Sequence, residues 1–392
     1  MSVALPAPGS DQRALSDALA AAIRAEIEVA GPMPFSRFME RCLYAPGLGY
    51  YSAGSSKFGI GGDFVTAPEL GSLFAATIAT SLAPVLRELR PPADFVEIGG
   101  GSGAFAQVCL GKLATLDALP RRYAILEPSA DLRDRQRARL EATLERPLMD
   151  RVEWIDCPPE SAWRGVLFAN EVVDALPVTR FAIRNGEVFE EHVIIGGEGF
   201  ERTDRPADTL VASAVRQVER GLDAPFGDGY RSEILPQLPY WIAAIMGSLK
   251  VGVALFVDYG YPRREYYLPE RNDGTLVCHY RHRAQADPLI LPGLQDISAF
   301  VDFTALAEAG VAAGFDFVGY APQGQFLLAS GLPALIEDAQ DLAESARLQV
   351  VAEAKRLTLP SDMGERFQAI AFARGVENAL SGLRSVDLSR RL

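Results

Sequence analysis

The stretch FVEIGGGSGAFA, residues 95–106, runs an apolar segment into an acid and then packs four glycines into the five positions 99–103. An apolar strand, a glycine turn and a helix in succession mark the first strand-to-helix connection of an open α/β sheet. In such sheets ligands bind beyond the carboxyl ends of the strands. Gly99, Gly101 and Gly103 can take positive φ and let backbone N–H groups approach a ligand with no Cβ in the way. The letters alone admit two cofactors. Gly99, Gly101 and Ala104 satisfy the dinucleotide fingerprint GxGxxG/A, while Glu97, Gly99, Gly101 and Gly103 satisfy the ExGxGxG of S-adenosylmethionine enzymes. A plain tight turn is the third reading.

Outward from the loop, strands and helices alternate. A helix follows from about Ala104 to Lys112, YAILEP leads into the charged helix ADLRDRQRARLEATL, VEWID is a third strand and GVLFANEVVDALP contains a fourth. That rhythm predicts a parallel sheet covered on both faces. The second strand ends at Glu127, where either fingerprint places an acid on the ribose hydroxyls. The third ends at Asp156, where methyltransferases commonly hold the adenine amino group and where an Asp also simply opens a turn. The fourth delivers Asn170, Glu171 and Asp174. Three polar side chains ending a buried strand are costly unless partners or a ligand meet them, which favours a functional reading.

After Pro177 the rhythm breaks. VTRFAIRNGEVFEEHVII reads as a hairpin on Asn185-Gly186, a dipeptide suited to a type I′ turn. VGVALFVDYGY restores a buried strand, followed by a helix in DFTALAEAGVAAG, a long helix from Pro333 to Arg356 and a last strand RFQAIAFARG. Near the N-terminus, DQRALSDALAAAIRAEIEVA is a helix stopped by Gly31-Pro32, and a loop rich in glycine, aromatics and serine precedes a helix starting around Ser72. A long loop of that kind is usually functional or disordered, and its aromatics and GGD favour function.

The expected architecture is one doubly wound α/β domain with insertions. An N-terminal helical region with a lid-like loop spans 1–75, and a first part of the core with the hairpin spans 76–199. A helical insertion occupies 200–245, the rest of the core 246–380, and a tail 381–392.

The 48% hydrophobic and 23% charged content is that of a soluble globular chain, and the net charge of −13 argues against non-specific binding to nucleic acid or anionic membrane. Cys42, Cys109, Cys157 and Cys278 are far apart and only three histidines are present, so neither a zinc site nor a disulfide framework is expected. His279 and His282 lie in a polar loop without ligand spacing. The N-terminal MSVALPAPGSDQ has neither signal nor transit character, and the apolar runs fall short of a membrane span. A cytoplasmic location is the expectation.

An ordered series of blocks then resembles the MidA family of bacterial and mitochondrial methyltransferases. They are SRFMERCLYAPGLGYY, GGDFVTAPELGSLF, VEIGGGSG, LEPSADLRDRQ, ANEVVDALPVTRF, ALFVDYGYPRREYY, GTLVCHYRHRAQADPLILPGLQDISAFVDF and LPSDMGERFQAIAFARG, from about Phe35 to Gly375. The resemblance implies a Rossmann-like methyltransferase sheet with S-adenosyl-L-methionine as cofactor, held by Glu97, Gly99, Gly101, Gly103, Glu127, Asp156 and Asn170. Departures are Gly100, where proline is typical, and Ser102, where arginine is frequent. Ala75 and Ala76 replace a frequent glycine and acid, and Phe300 stands where histidine is common.

Because mitochondrial members include an arginine methyltransferase tied to respiratory complex assembly, the resemblance also implies an arginine-bearing protein substrate. A cationic acceptor needs carboxylates to orient the guanidinium and take its proton. The candidates are Glu171, Asp174, Asp258 and Asp63, with Asp287 and Asp302 behind them and Tyr259 and Tyr261 as pocket walls. The Tyr50–Glu69 loop, with Gly61, Gly62 and Asp63, is the expected lid. A non-catalytic assembly factor keeping the cofactor fold, or an NAD-dependent oxidoreductase, are the alternatives.

Overall fold

The apolar runs around the glycine loop form a seven-strand path: β1 (Asp94–Ile98), β2 (Arg122–Leu126), β3 (Val152–Ile155), β4 (Trp163–Asn170), β5 (Leu249–Tyr261), β6 (Asp316–Pro322) and β7 (Phe367–Arg374). Their order is β6-β7-β5-β4-β1-β2-β3. Strands β1 to β5 run parallel to one another, and β7 runs antiparallel to both β5 and β6. This is the doubly wound sheet expected from the sequence. Its order reverses between β1 and β4, the switch point at which such sheets bind ligands. The computed structural model describes residues 5–53, 66–89, 93–197, 199–377 and 379–392. Asp63, Gly61 and Gly62 lie outside the described residues.

The strands read as continuous apolar runs because helices bury both faces of the sheet. Leu73–Glu88 and Ala104–Thr115 cover one face with Phe74, Ile78, Leu82, Phe105 and Leu110, all buried. Phe105 stacks on Phe168 with centroids 4.3 Å apart, and Phe95 stacks on Tyr123 at 4.7 Å. Three strands close to backbone contact where they begin. Gly165 of β4 opposes Asp94 of β1 and Gly252 of β5. Both glycines have positive φ, and a Cβ on Gly165 would lie 1.8 Å from the Asp94 carbonyl oxygen. Arg121 holds the Asp94 carboxylate through two hydrogen bonds of 3.0 and 2.9 Å.

The chain divides into two compact units. One contains Val65–Val172, Leu238–Gly260 and Phe303–Leu392, and includes the sheet just described; the other contains Met1–Phe64, Val173–Gln237 and Tyr261–Asp302. The boundaries read from sequence at 75, 199, 245 and 380 do not follow this division. Segment 200–245, expected as an insertion helical near DTLVASAVRQVERGL, has its helix there at Thr209–Arg220, and the correction is that it also supplies strands to an antiparallel sheet. Gly199–Pro206 and Arg231–Ile234 are strands, and Thr209–Arg220 and Leu238–Met246 are helices. In that sheet Glu187–Gly196 pairs with Met33–Pro34, Thr179–Arg184 and Gly199–Pro206. The Asn185-Gly186 hairpin forms as expected, with φ of 51° and 77° at its two loop residues.

Gly199–Pro206 and Arg231–Ile234 lack apolar alternation because Arg202, Asp204, Arg231 and Glu233 are spent on ion pairs. The apolar cluster at this sheet is drawn from Phe181, Ile183 and Val188 with Val211, Val215 and Val218 of the helix Thr209–Arg220. Arg180, Glu191 and Glu233 are buried, with Arg180 Nη1 donating to Glu233 at 2.7 Å and Nε to Glu191 at 3.3 Å. The helix expected from Pro333 to Arg356 is also corrected. It breaks into Leu332–Asp338, a short 3-10 turn and Glu344–Thr358. Glu353 of the last piece accepts from the Leu73 N–H at 2.7 Å and so caps the Leu73–Glu88 helix, whose first N–H groups lack partners within the helix.

Gly165→Ala places a Cβ inside an adjacent carbonyl and cannot be absorbed by a flexible side chain. Urea unfolding is expected to show a loss of at least ~3 kcal/mol.

Candidate active site

The loop after β1 turns on three residues with positive φ: Gly99 at 70°, Gly101 at 53° and Gly103 at 83°. Gly103 caps the helix Ala104–Thr115. Gly100 has a packing reason, since a Cβ there would lie 2.7 Å from Ile125 Cγ2 and 3.1 Å from Gln136 Nε2. Ser102 is explained as well. Its hydroxyl donates to the Glu69 carboxylate and accepts from Arg139 at 2.8 Å. Arg139 also lies 3.5 Å from Glu69, so a guanidinium from the helix Ala130–Thr143 stands beside the loop at Ser102.

Gln136, on the helix Ala130–Thr143, organises the strand ends. It is fully buried. Its Nε2 donates to the Gly101 carbonyl at 3.0 Å and to Glu127 Oε2 at 3.2 Å, while its Oε1 accepts from Trp154 Nε1 at 2.8 Å. One amide thereby joins the glycine loop, the acid after β2 and an aromatic of β3. The sequence reading missed it because a Gln in a charged helix looks like solvated surface. The only signal was its place on the face that carries Leu132 and Leu140 (i±4).

Glu97 is buried within β1 and accepts from the Tyr123 hydroxyl at 2.8 Å. Burial pushes its carboxyl up to about 8; the Tyr123 bond opposes this and nearby Glu127 adds to it. Glu127 is buried, and its Oε1 accepts from the Ser129 N–H at 3.0 Å. Asp156 is exposed and paired with Arg133, which also donates to the Glu127 carbonyl. The ends of β1, β2 and β3 thus share one polar network.

At the end of β4, Asn170 donates from Nδ2 to Glu171 Oε1 at 2.9 Å. Its own Oδ1 is buried with no hydrogen-bond partner among the described residues. Glu171 has φ of 51°, a left-handed conformation that is uncommon for any residue with a Cβ. Asp258, buried near the end of β5, holds this turn. Its Oδ2 accepts from the Val172 N–H at 3.2 Å and its Oδ1 from the Tyr259 N–H at 2.9 Å. Asp258 therefore positions Glu171 and Val172.

Asp174 belongs to the other unit and is buried there. Asp302 pairs with Arg263 at 3.2 Å, and Asp287 accepts from the Leu289 N–H at 3.0 Å within its own loop. Both are engaged in local structure. Tyr261 stacks on Phe300 at 5.5 Å, and Tyr259 packs against Phe367. Ala75 and Ala76 are buried in the Leu73–Glu88 helix. Among the described residues no group of three or more His, Cys, Asp or Glu could hold a metal ion, and no helix is long and apolar enough to cross a membrane.

Comparisons with known proteins decide between the two cofactors that the loop letters admit. A family model described as an S-adenosyl-L-methionine-dependent methyltransferase matches residues 77–321. A Burkholderia thailandensis protein solved with S-adenosyl-homocysteine bound is 42% identical, with a TM-score of 0.92 over 99% of this chain and 100% of that one. The Drosophila melanogaster protein arginine methyltransferase NDUFAF7 homolog, mitochondrial, is 27% identical over 91% of this chain and 85% of its own length. The mouse mitochondrial protein arginine methyltransferase NDUFAF7 is 26% identical over 88% and 82%. The cytoplasmic location expected from the N-terminal residues is corrected by these relatives, which are named as mitochondrial proteins.

The residues present fit S-adenosylmethionine. The turn is free of side chains at Gly99, Gly100 and Gly101, a buried acid follows β2, and Asn170 keeps a buried acceptor oxygen open.

Two outcomes follow from this network. Gln136→Leu strands the indole N–H of Trp154 and removes a donor from Glu127, so calorimetry is expected to show S-adenosyl-homocysteine binding weakened about 10- to 100-fold. Glu97 holds its proton in the folded chain up to about pH 8 but releases it near the ordinary 4.5 when unfolded. The folded state then binds more protons across that window, so stability falls as pH rises from about 5 to 8. Glu97→Gln is expected to flatten this slope in denaturant titrations at several pH values.

Proposed function

The chain belongs to the family of S-adenosylmethionine-dependent methyltransferases, and we propose that it methylates an arginine side chain of a protein substrate. The observation that carries the catalytic part is Glu171. A carboxylate placed at the end of β4 in a left-handed conformation, with the turn clamped by Asp258, is backbone strain of the kind that clusters at reacting centres. The arginine acceptor is supported by the relatives named as protein arginine methyltransferases.

In this reading the glycine turn takes the methionine end of the cofactor, Glu127 the ribose hydroxyls and Asp156 the adenine edge, while the Asn170 Oδ1 accepts from a donor of the cofactor. When bound, S-adenosylmethionine supplies a methyl group on a sulfonium, open to in-line displacement. Glu171 accepts the proton that the guanidinium nitrogen must lose as its new N–C bond forms, and passes it to solvent. Asp258 keeps Glu171 in place, because its two oxygens are already occupied by backbone N–H groups. Gln136 keeps the loop and the ribose acid in register before the cofactor arrives, which lowers the ordering cost of binding.

The test is incubation with methyl-labelled S-adenosylmethionine and a cell extract, with the labelled residue located by mass spectrometry. Label on an arginine nitrogen is expected, and label confined to another residue type overturns the acceptor assignment. Glu171→Gln is expected to cut transfer about 10²- to 10⁴-fold while S-adenosyl-homocysteine binds as in the unaltered chain.

A further inference from the structure

The stretch EDAQDLAESARLQVVAEAKRLTL, residues 337–359, sorts its exposed charges by sign. Glu337, Asp338, Asp341 and Glu344 are exposed at its start, and Arg347, Lys355 and Arg356 are exposed further along. Within it Glu344–Thr358 is an α-helix whose inner side buries Glu353, Ala354 and Leu357. Ala354 and Leu357 join the core beside the parallel sheet. At about 100° per residue, Leu348 projects from the side directly opposite Leu357, and Glu344, Val351 and Lys355 lie within about 60° of it. Leu348 is 61% exposed and Val351 37%. Leu342 and Leu359, just beyond the two ends of the helix, are exposed as well.

The outward face therefore reads acid, leucine, valine, base at positions 344, 348, 351 and 355, the alternating four- and three-residue spacing of a coiled-coil seam. What identifies its occupant is the symmetry of that order. Turned end for end, the strip is complementary to itself. In an antiparallel pair, Leu348 of each copy meets Val351 of the other, and Glu344 of each meets Lys355 of the other. The acidic start of one segment then faces the basic end of its copy. A parallel pair would set Glu344 on Glu344 and Lys355 on Lys355, which repel. A two-fold axis makes every contact occur twice, so one such strip is enough. Ala352, small and exposed beside the seam, leaves room for a second helix to approach.

We propose that two copies of this chain associate through the Glu344–Thr358 helix, packed antiparallel on itself about a two-fold axis. The assignment is independent of the methyl acceptor. One helix with four seam layers falls at the low end of specific interfaces, so a dissociation constant of about 1–100 μM is expected.

The test is sedimentation equilibrium of the full chain from about 1 to about 300 μM, where a reversible monomer–dimer equilibrium is expected. Leu348→Glu is expected to weaken pairing at least about tenfold. Glu344→Lys and Lys355→Glu each set like charges face to face and weaken it, whereas the two together restore it to within about threefold of the unaltered chain. Every one of these side chains is exposed, so S-adenosyl-homocysteine affinity is expected to stay unchanged and reports that each variant is folded. A second measurement needs no variant. Carbodiimide coupling of the unaltered chain is expected to join Glu344 to Lys355. Eleven residues apart on one helix, the two lie about 16 Å from each other, so a zero-length link between them joins two copies.

A chain that stays monomeric across the whole range, or a dimer as strong in Leu348→Glu as in the unaltered chain, overturns the seam. Single charge variants that dissociate without rescue by the double exchange overturn the antiparallel pairing, as does a dimer that yields no Glu344–Lys355 link.

Discussion

The side-chain amide of Gln136 is the contact on which the glycine loop and the neighbouring strand ends depend. It fixes the Gly101 carbonyl, steadies Glu127 and takes the Trp154 indole N–H, and so joins the ends of three neighbouring strands. Because a trans peptide sets C=O and N–H on opposite sides of one plane, holding the Gly101 carbonyl toward the helix Ala130–Thr143 turns the Ser102 N–H away from it. The same amide, with Ile125, fills the space a side chain at position 100 would need. Gly100 is therefore the counterpart of a helix packed close behind the loop.

Three buried carboxyl groups at the strand ends are accommodated in three ways. Glu97, with one phenol for company, is held toward its neutral form by burial. Asp258 has a backbone N–H on each oxygen and is spent on holding the turn at Glu171. Glu127 takes a backbone N–H on one oxygen and the Gln136 amide on the other. The cost of burying carboxylates is met by hydrogen bonds in two cases and by the proton in the third. Glu171, beside them, is set apart by its left-handed backbone, with φ of 51°.

How much could be read from the letters follows the physics of each element. Strands buried on both faces announce themselves as apolar runs, and the Asn185-Gly186 turn announces itself because few other dipeptides adopt its φ values. The strand Gly199–Pro206 does not, since Asp204 and Arg202 of that strand reach an ionic interior made by Glu191 and Arg231. Charge buried in pairs carries no periodic hydrophobic signal. The break between Asp338 and Glu344 was hidden for a similar reason: what rewards it is a cap that Glu353 provides to a helix far away in sequence.

The sequence by itself determined the sheet, its glycine turn and the polar residues that end its strands, because these depend on local periodicity and on the missing Cβ of glycine. Set beside known proteins, it also determined the methyltransferase family. Only the tertiary structure decided what each of those polar residues is bonded to. Asp258, Asp302 and Glu97 look alike as letters, yet backbone N–H groups, Arg263 and a buried phenol respectively claim them. Only the fold, too, brought Gln136 to the loop and Tyr51 to Asp296, since residues so far apart in the chain meet through packing, which no local pattern encodes.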